Sequence, residues 1–296
     1  MADVSVIIVT WNNDSEIEQC IDSLIKSSNG LSIELVLIDN NSSDGTYDKL
    51  LKINYHNLHV YRNFSNLGFT KAVNQGIRFS TSPLVMFLNP DTIVKNGALD
   101  LMSGFLKGNK QYGASCPLML NKNKTIQYSI RNFPAFWSMF CEFSLLAYLF
   151  PKTRLFGNWK MKYFKYDKDA DVSQPMAAAL MVNRKVLEML NGMDERFEMF
   201  FNDVDLCKRI INAGCKIRFI KDSVIIHYKG KSIYKKRAKM INTWNRDCLA
   251  YFEKHHPRKL LLLWLKISLK LSGIVRILLY RIINFFRFMR KHETTK

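Results

Sequence analysis

LVMFLNPD, residues 84–91, sets an unbroken apolar run, Leu84 to Leu88, between Pro83 and the polar triplet Asn89-Pro90-Asp91. A short apolar run bounded by breakers reads as a strand buried on both faces, as in a parallel sheet. The run ends on a carboxylate. In open parallel sheets ligands sit beyond the carboxyl ends of the strands, where an acidic group can bind a divalent cation that bridges phosphate oxygens. The octet by itself also reads as a turn that only caps a strand. Its surroundings decide between the two.

Upstream, the same pattern repeats. Val4 to Val9 is strand-like and ends at Thr10-Trp11-Asn12, with Asp14 or Ser15 placed to cap the helix that follows. Ile33 to Ile38 delivers Asp39 to the same edge, followed by the polar loop Asn40 to Thr46. His59 to Arg62 predicts a third strand, and Thr70 to Phe79 a helix in which Ala72, Asn74 and Gly76 are small or polar, leaving room for close approach. Strands alternating with helices through residue 107 predict an α/β fold with a doubly wound, mostly parallel sheet. Neither GxGxxG after the first strand nor GxxxxGK[ST] occurs, so a dinucleotide fingerprint and a P-loop are both excluded.

Composition bounds the partners. The 296 residues carry a net charge of +19, and 48% are hydrophobic, as in a folded protein. Residues 258–296 hold ten Lys and Arg against one acid, Glu293, so nearly half of the excess charge belongs to the tail. The six cysteines form no CxxC pair and no zinc-like cluster, and read as reduced core thiols. Reduced thiols set the expectation of a protein facing the cytosol, and MADVSVIIVT, which enters directly on a strand pattern without signal-peptide features, sets the expectation that it is not secreted.

VSVIIVTWN, ELVLIDNNSSDGT, RNFSNLGFTKAVNQG and FLNPD, in this order and spacing, resemble glycosyltransferase family 2, and within it the rhamnosyltransferase-like enzymes of surface-polysaccharide synthesis. The resemblance runs to about His256. It implies the GT-A fold, a Rossmann-like sheet with helices on both faces, over residues 1–256, with a nucleotide-sugar half at 1–110 and an acceptor half at 111–256. It also implies nucleotide-sugar contacts at Thr10, Asn12, Asp39, Asn41, Asn66, Gly68, Lys71, Asn74, Asn89 and Asp91, with Thr10 and Asp39 at the base and ribose. Asp91 stands as the metal-binding carboxylate of a DxD-like motif in which Asn89 replaces the first Asp. The implied donor is dTDP- or UDP-linked, with L-rhamnose from dTDP-rhamnose as the leading choice, and the implied acceptor is a lipid-linked saccharide.

The later chain carries the remaining chemistry. Met176 to Asn183, with Ala178, resembles the family's acceptor-side segment. An inverting transfer needs a carboxylate to take the proton from the acceptor hydroxyl, and the resemblance assigns this to Asp203, with Asn202 where a Glu is usual. Asp205 is read as a supporting residue paired with Arg209 at i,i+4. Helix capping is the plainer reading of both carboxylates. His227 closes a strand-like segment, Val224 to Ile226, that follows another at Lys216 to Ile220. An imidazole suits Mn²⁺ better than Mg²⁺, and the resemblance makes His227 the second ligand of one of these ions beside Asp91. Lys229, Lys231, Lys235, Lys236, Arg237 and Lys239 read either as a loop closing over the diphosphate or as a solvated basic face.

Three stretches bear on membranes. Residues 112–132 predict a strand, a turn at Asn121 to Lys124 and a returning strand, Thr125 to Tyr128. Phe133 to Phe150 is long enough to span but carries Pro134 and Glu142, which favours a helix packed in the protein or lying at an interface. Residues 257–296 predict a basic amphipathic tail broken near Ser272-Gly273. It is suited to an anionic membrane surface at the cytoplasmic face, or to a helical partner such as a second copy in a homo-oligomer. No nucleic-acid motif accompanies the charge, so nucleic acid is not an expected partner. Asn89 and Asn202 keep open a silent member of the fold serving as a membrane scaffold.

Overall fold

The computed structural model describes residues 2–28, 30–228 and 237–293, with side chains left aside at 237, 238, 279 and 281–293. Lys229, Lys231, Lys235 and Lys236 of the basic run lie outside the described residues. The first half runs β1 (Val4–Thr10), α1 (Ile17–Ser27), β2 (Ile33–Asp39), α2 (Thr46–Leu51), β3 (Leu58–Arg62), α3 (Phe69–Phe79), β4 (Leu84–Leu88), β5 (Thr92–Val94) and α4 (Ala98–Gly108). Next come β6 (Tyr112–Leu120), β7 (Ile130–Arg131), α5 (Phe136–Phe143), α6 (Leu146–Leu149), β8 (Ala170–Asp171), β9 (Gln174–Pro175) and β10 (Ala179–Asn183). The chain finishes with α7 (Arg184–Met189), α8 (Asn202–Asn212), β11 (Lys216–His227), α9 (Arg237–His255) and α10 (Lys259–Glu293).

Among the described residues one nine-stranded sheet has the order β3-β2-β1-β4-β10-β6-β11-β5, with β8 added beside β11. β3, β2, β1 and β4 are mutually parallel. β10 runs antiparallel to both β4 and β6, and β11 is again parallel to β6. The reversal at β10 brings the acceptor half against the end of β4.

Side-chain alternation explains the layers. Every residue of β1, β2 and β4 is buried. Val4, Val6 and Ile8 pack with α1, α2 and α4 on one face, while Ile7 and Val9 pack with α3, α7 and α8 on the other. A third cluster joins Phe197, Phe201, Tyr251 and Phe252 to Leu265 and Leu269, so the start of α10 is built into the body.

Several local expectations are corrected. The first helix is preceded by Glu16 without a side-chain cap, because the Asn13 carbonyl already takes the N–H groups of Glu16 and Ile17. Thr125 to Tyr128 makes a single bridge, Leu120 to Ile126, and no strand, the Ile126 carbonyl accepting from Asn121 Nδ2 (3.3 Å). The two segments expected at 216–220 and 224–226 are one strand, β11, with a register shift between Ile220 and Val224. Phe133 to Phe150 folds as α5 and α6, broken at Leu145 (φ 65°). Among the described residues no helix is long and apolar enough to cross a membrane.

Ser272-Gly273 does not interrupt α10. A Cβ at Gly273 would lie 2.7 Å from Asn245 Nδ2, so the glycine serves a close crossing with α9, where Asn245 Nδ2 donates to the Leu269 carbonyl (2.9 Å).

Gly76 is explained the same way. Its missing Cβ would stand 2.4 Å from Ile7 Cγ2, so this helix position admits the sheet and not a ligand. Gly76→Val is expected to cost about 1–3 kcal/mol by overpacking. Ile7→Ala in the same chain should return part of that cost, giving a non-additive cycle in urea unfolding.

Candidate active site

The site lies along one edge of the sheet, where β1, β2 and β4 end. Asp39, the last residue of β2, is closed off from solvent. Its carboxylate accepts from Thr10 Oγ1 at 3.2 Å and Ser42 N at 3.1 Å, with Arg62 Nε at 3.5 Å. Thr10 is equally buried, so this pair, expected to touch base and ribose, forms the floor beneath the rim. Arg62 was not anticipated, although it also stands at a strand end.

The loops above this floor are sewn together. Asn12 (φ 57°) accepts from Ser43 N at 2.8 Å, and its own N–H donates to Ser42 Oγ at 3.0 Å. Buried Asn40 donates to Asn66 Oδ1 (3.0 Å) and the Gly68 carbonyl (3.2 Å), and accepts from Leu67 N (3.0 Å). Asn66 in turn receives Gly68 N (2.9 Å). Asn41 (φ 65°) and Lys71 are exposed.

Asn74 is placed otherwise than expected for a donor contact. Its amide donates to the Met193 carbonyl (2.8 Å) and accepts from Met193 N (2.9 Å), which commits it to tethering the loop after α7.

The chain turns after β4 so that Asn89, Asp91 and His227 meet. β11 pairs with β5 in the register His227 to Thr92, and Tyr228 N donates to the Asp91 carbonyl at 2.9 Å. Asp91 Oδ1 lies 3.2 Å from His227 Nε2, and Asn89 Nδ2 lies 3.5 Å from the same nitrogen. His227 Nδ1 faces Gln127 Oε1 at 2.8 Å. The orientation of that amide is fixed because its Nε2 donates to the His227 carbonyl (3.2 Å) and Asn121 Oδ1 (3.0 Å). Nδ1 therefore carries a proton, and in the neutral imidazole Nε2 is left with a lone pair facing Asp91.

Two such acceptors 3.2 Å apart need a positive centre between them, either a proton on Nε2 or a bound metal ion. One carboxylate plus one neutral imidazole, oriented by an outer amide, is a donor set that fits a divalent ion and suits Mn²⁺ better than Mg²⁺. Among the described residues no cluster of three or more His, Cys, Asp or Glu forms a metal cage, so substrate oxygens would complete the coordination. Gln127 was invisible to sequence reasoning, which placed it in a strand.

Asp203 sits at the start of α8, after Phe201 in the left-handed region (φ 59°). Its carboxylate accepts from Val204 N at 2.8 Å and, across the sheet edge, from Ala177 N and Gln174 Nε2, each at 3.4 Å. Ala178 next door receives Asn89 N at 2.9 Å, so the Asp91 and Asp203 segments share one backbone seam. Burial raises the Asp203 pKa above the ordinary carboxylate value, against the opposing charge of Arg131 and the backbone donors. Asn202 is buried and donates to Thr70 Oγ1 (3.1 Å) while accepting from Asp203 N (2.6 Å). It anchors the helix start.

Asp205 faces the other way. It takes Arg209 Nε at 2.7 Å, Lys254 Nζ at 2.6 Å and His255 Nε2 at 2.7 Å, with no exposed surface. Burial pushes its pKa up, but these hydrogen bonds and the Arg209 charge outweigh burial and bring it down to about 2.

The sequence model of glycosyl transferase family 2 matches residues 5–169, which include Thr10, Asp39 and Asp91. The chain belongs to glycosyl transferase family 2. This family 2 glycosyltransferase is 23% identical over 268 residues to N-acetylglucosaminyl-diphospho-decaprenol L-rhamnosyltransferase of Mycobacterium tuberculosis, 86% of each chain. It is also 23% identical to the dTDP-rhamnosyl transferase RfbF of Shigella flexneri, over 77% of this chain and 70% of that one. Among solved structures, GalNAc-T7 with UDP, GalNAc and Mn²⁺ aligns at a TM-score of 0.58 and 16% identity, over 77% of this chain and 44% of that one. S. aureus TarS (1–349) aligns at 0.54 and 15%, over 86% and 73%. At these identities the likeness is one of fold, the GT-A fold. Asp203 and His227 lie beyond the matched family segment.

The Asp205 cluster yields a stability prediction for the family 2 enzyme. Its depressed pKa contributes stability above the unfolded value of 3.8 that is lost as pH falls towards about 2. Asp205→Asn should lower stability at neutral pH by about 3–5 kcal/mol and flatten the acid limb of a stability-against-pH curve from urea titrations.

Proposed function

We propose that the enzyme is an inverting, metal-dependent rhamnosyltransferase. It moves L-rhamnose from dTDP-rhamnose to a lipid-linked saccharide at the cytoplasmic face of the membrane. The observation that carries the reading is the seam joining the Asp91–His227 pair to Asp203 through Asn89, Ala178 and Ala177. The names of the rhamnosyltransferase relatives support the choice of sugar and the lipid-linked acceptor.

Asp91 and His227 Nε2 would hold Mg²⁺ or Mn²⁺, which when bound offsets the negative charge of the donor diphosphate. Asp203 accepts the proton of the acceptor hydroxyl as its oxygen bonds to the anomeric carbon. The bond from that carbon to the diphosphate oxygen breaks, and the nucleoside diphosphate leaves with the electron pair. The raised pKa of Asp203 makes it a better base than an ordinary carboxylate. Residues 1–110 serve the donor, residues 111–256 the acceptor and residues 257–296 the membrane.

The membrane reading rests on α10. Leu260, Leu263, Ile267, Leu271, Ile274 and Leu278 recur at helical spacing and are all exposed, opposite buried Leu265 and Leu269. Trp264 lies against Phe140 and Phe143 of α5, so exposed Trp137, Phe140, Leu145, Tyr148 and Leu149 extend the same apolar surface. Nine cations and no acid between Arg258 and Lys291 suit anionic lipid.

Offered a panel of nucleotide-sugars, Mg²⁺ or Mn²⁺ and a diphosphate-lipid N-acetylglucosamine, the enzyme should add one deoxyhexose from dTDP-rhamnose alone, read by glycolipid mass. A product from a different donor would replace rhamnose, and donor affinity without any transfer would remove the acceptor assignment. Asp203→Asn should lower transfer by at least about 10²-fold with donor binding retained. Arg131→Met removes a charge that lowers the Asp203 pKa, so the acid limb of kcat/KM should move to higher pH. Separately, Ser at Leu263, Ile267 and Leu271 should reduce sedimentation with phosphatidylglycerol vesicles by about tenfold or more, while a water-soluble acceptor is still turned over.

A further inference from the structure

A cleft of about 750 Å³ opens beside the site, lined by Lys124, Gln127, Tyr128, Arg131, Lys160 and Lys162 and by no carboxylate. It is fixed to the catalytic groups at two points. Gln127 on its wall is the residue that holds His227 Nδ1 (2.8 Å), and Arg131 pairs in register with Gln174, whose Nε2 donates to Asp203 Oδ2 at 3.4 Å. The cleft therefore flanks Asp203 beyond His227 as seen from Asp91.

Its charge is largely uncompensated. Lys160 is paired with Glu142 of α5 at 2.5 Å. Lys124, Arg131 and Lys162 have no carboxylate within ion-pair distance among the described residues, and Lys124 and Lys162 are exposed. Three cations converging without an acid set up a field that favours an anion of more than one charge. Tyr128, 44% exposed, stands at the mouth edge-on to Tyr166 with its ring available to a sugar face.

The floor of the cleft leads to the apolar surface. Arg131 and Lys160 each stand 5.8 Å from the Trp159 ring centre, and the Lys160 partner Glu142 lies between Cys141 and Phe143 on α5. Trp137 and Phe140 of the same helix stack at 5.5 Å and are exposed. A molecule with a hydroxyl at Asp203 and an anion among the lysines has a path for a hydrocarbon chain along α5 towards α10.

We infer that this cleft binds the diphosphate of the acceptor: Lys124, Arg131 and Lys162 grip the two phosphates, Tyr128 stacks on the linked sugar, and the lipid runs out over α5. The inference rests on the transferase reading above and adds to it the site that recognises the acceptor. The donor diphosphate is left to the Asp91–His227 edge, so the two anions occupy different flanks of His227.

The test uses the full chain and calorimetric titration with three probes. These are a short-chain isoprenyl diphosphate N-acetylglucosamine, an alkyl N-acetylglucosaminide without phosphate, and dTDP-rhamnose with Mn²⁺. Lys124→Asn suits the left-handed backbone there (φ 61°), and Lys162→Gln changes an exposed side chain, so both should fold. Each should weaken the diphosphate probe about tenfold and the pair about a hundredfold, with the neutral glycoside and dTDP-rhamnose unchanged. Undiminished affinity of the double variant for the diphosphate probe would overturn the inference. So would an equal loss for the neutral glycoside, or a loss for dTDP-rhamnose in place of the acceptor probe. Loss of binding to phosphatidylglycerol vesicles with the diphosphate probe unaffected would reassign the lysines to lipid headgroups. A wild-type chain that binds no nucleotide-sugar would instead remove the transferase reading, and the inference with it.

Discussion

The hydrogen bond from Asn89 N to the Ala178 carbonyl holds the two halves of the candidate site to one another. β4 ends where β10 begins, because the two strands are antiparallel, and this bond extends their ladder by one step past the strand ends. An all-parallel sheet would have placed the start of β10 at the far edge. The reversed strand puts the Asp203 carboxylate, hung from Ala177, beside the turn that carries Asp91. Register is strongly fixed here, since both faces of β4 are packed and a one-residue slip would exchange every side chain between them.

Around that seam the polar residues divide by reach. Asp91, His227 and Asp203 sit where strands or a helix begin or end at the sheet edge. Asn40, Asn74, Asn202 and Asp205 turn inward and hold loops or helices in place. Asp205 ties α8 to α9 and, through Arg209, to the carbonyls of Leu190 and Gly192. The helix carrying the proposed base is thus braced at its first turn by Asn202 and Asp205 together, which limits the motion of Asp203.

β1, β2 and β4 were legible because each is a short buried run ending in polar residues, a local pattern needing no knowledge of partners, whereas three-residue β5 gave no such signal. The carboxylates at their ends were legible for the same reason. Gln127 was not, since its role depends on His227, a hundred positions away in sequence, and the strand pattern around it was a false lead. Asn74 failed in the same way: a small polar residue on a helix looks like ligand space until Met193 is known to fill it. Ser272-Gly273 looked like a break because glycine weakens a helix, yet the neighbouring Asn245 supplies the contact that a kink would have lost. Local patterning identifies elements and edges, while the work of a buried amide is decided by whatever the fold brings opposite it.

The α10 helix carries two apolar faces, one packed on α9 and one open to solvent. A helix with only one of these would be at ease in water. With both, plain buffer is a poor solvent for the molecule, and the open stripe gains by covering itself with any comparable surface at hand. An oligomer size measured in plain buffer then reflects the hunger of that stripe for cover, and the number of copies it gathers says little about any specific contact between them.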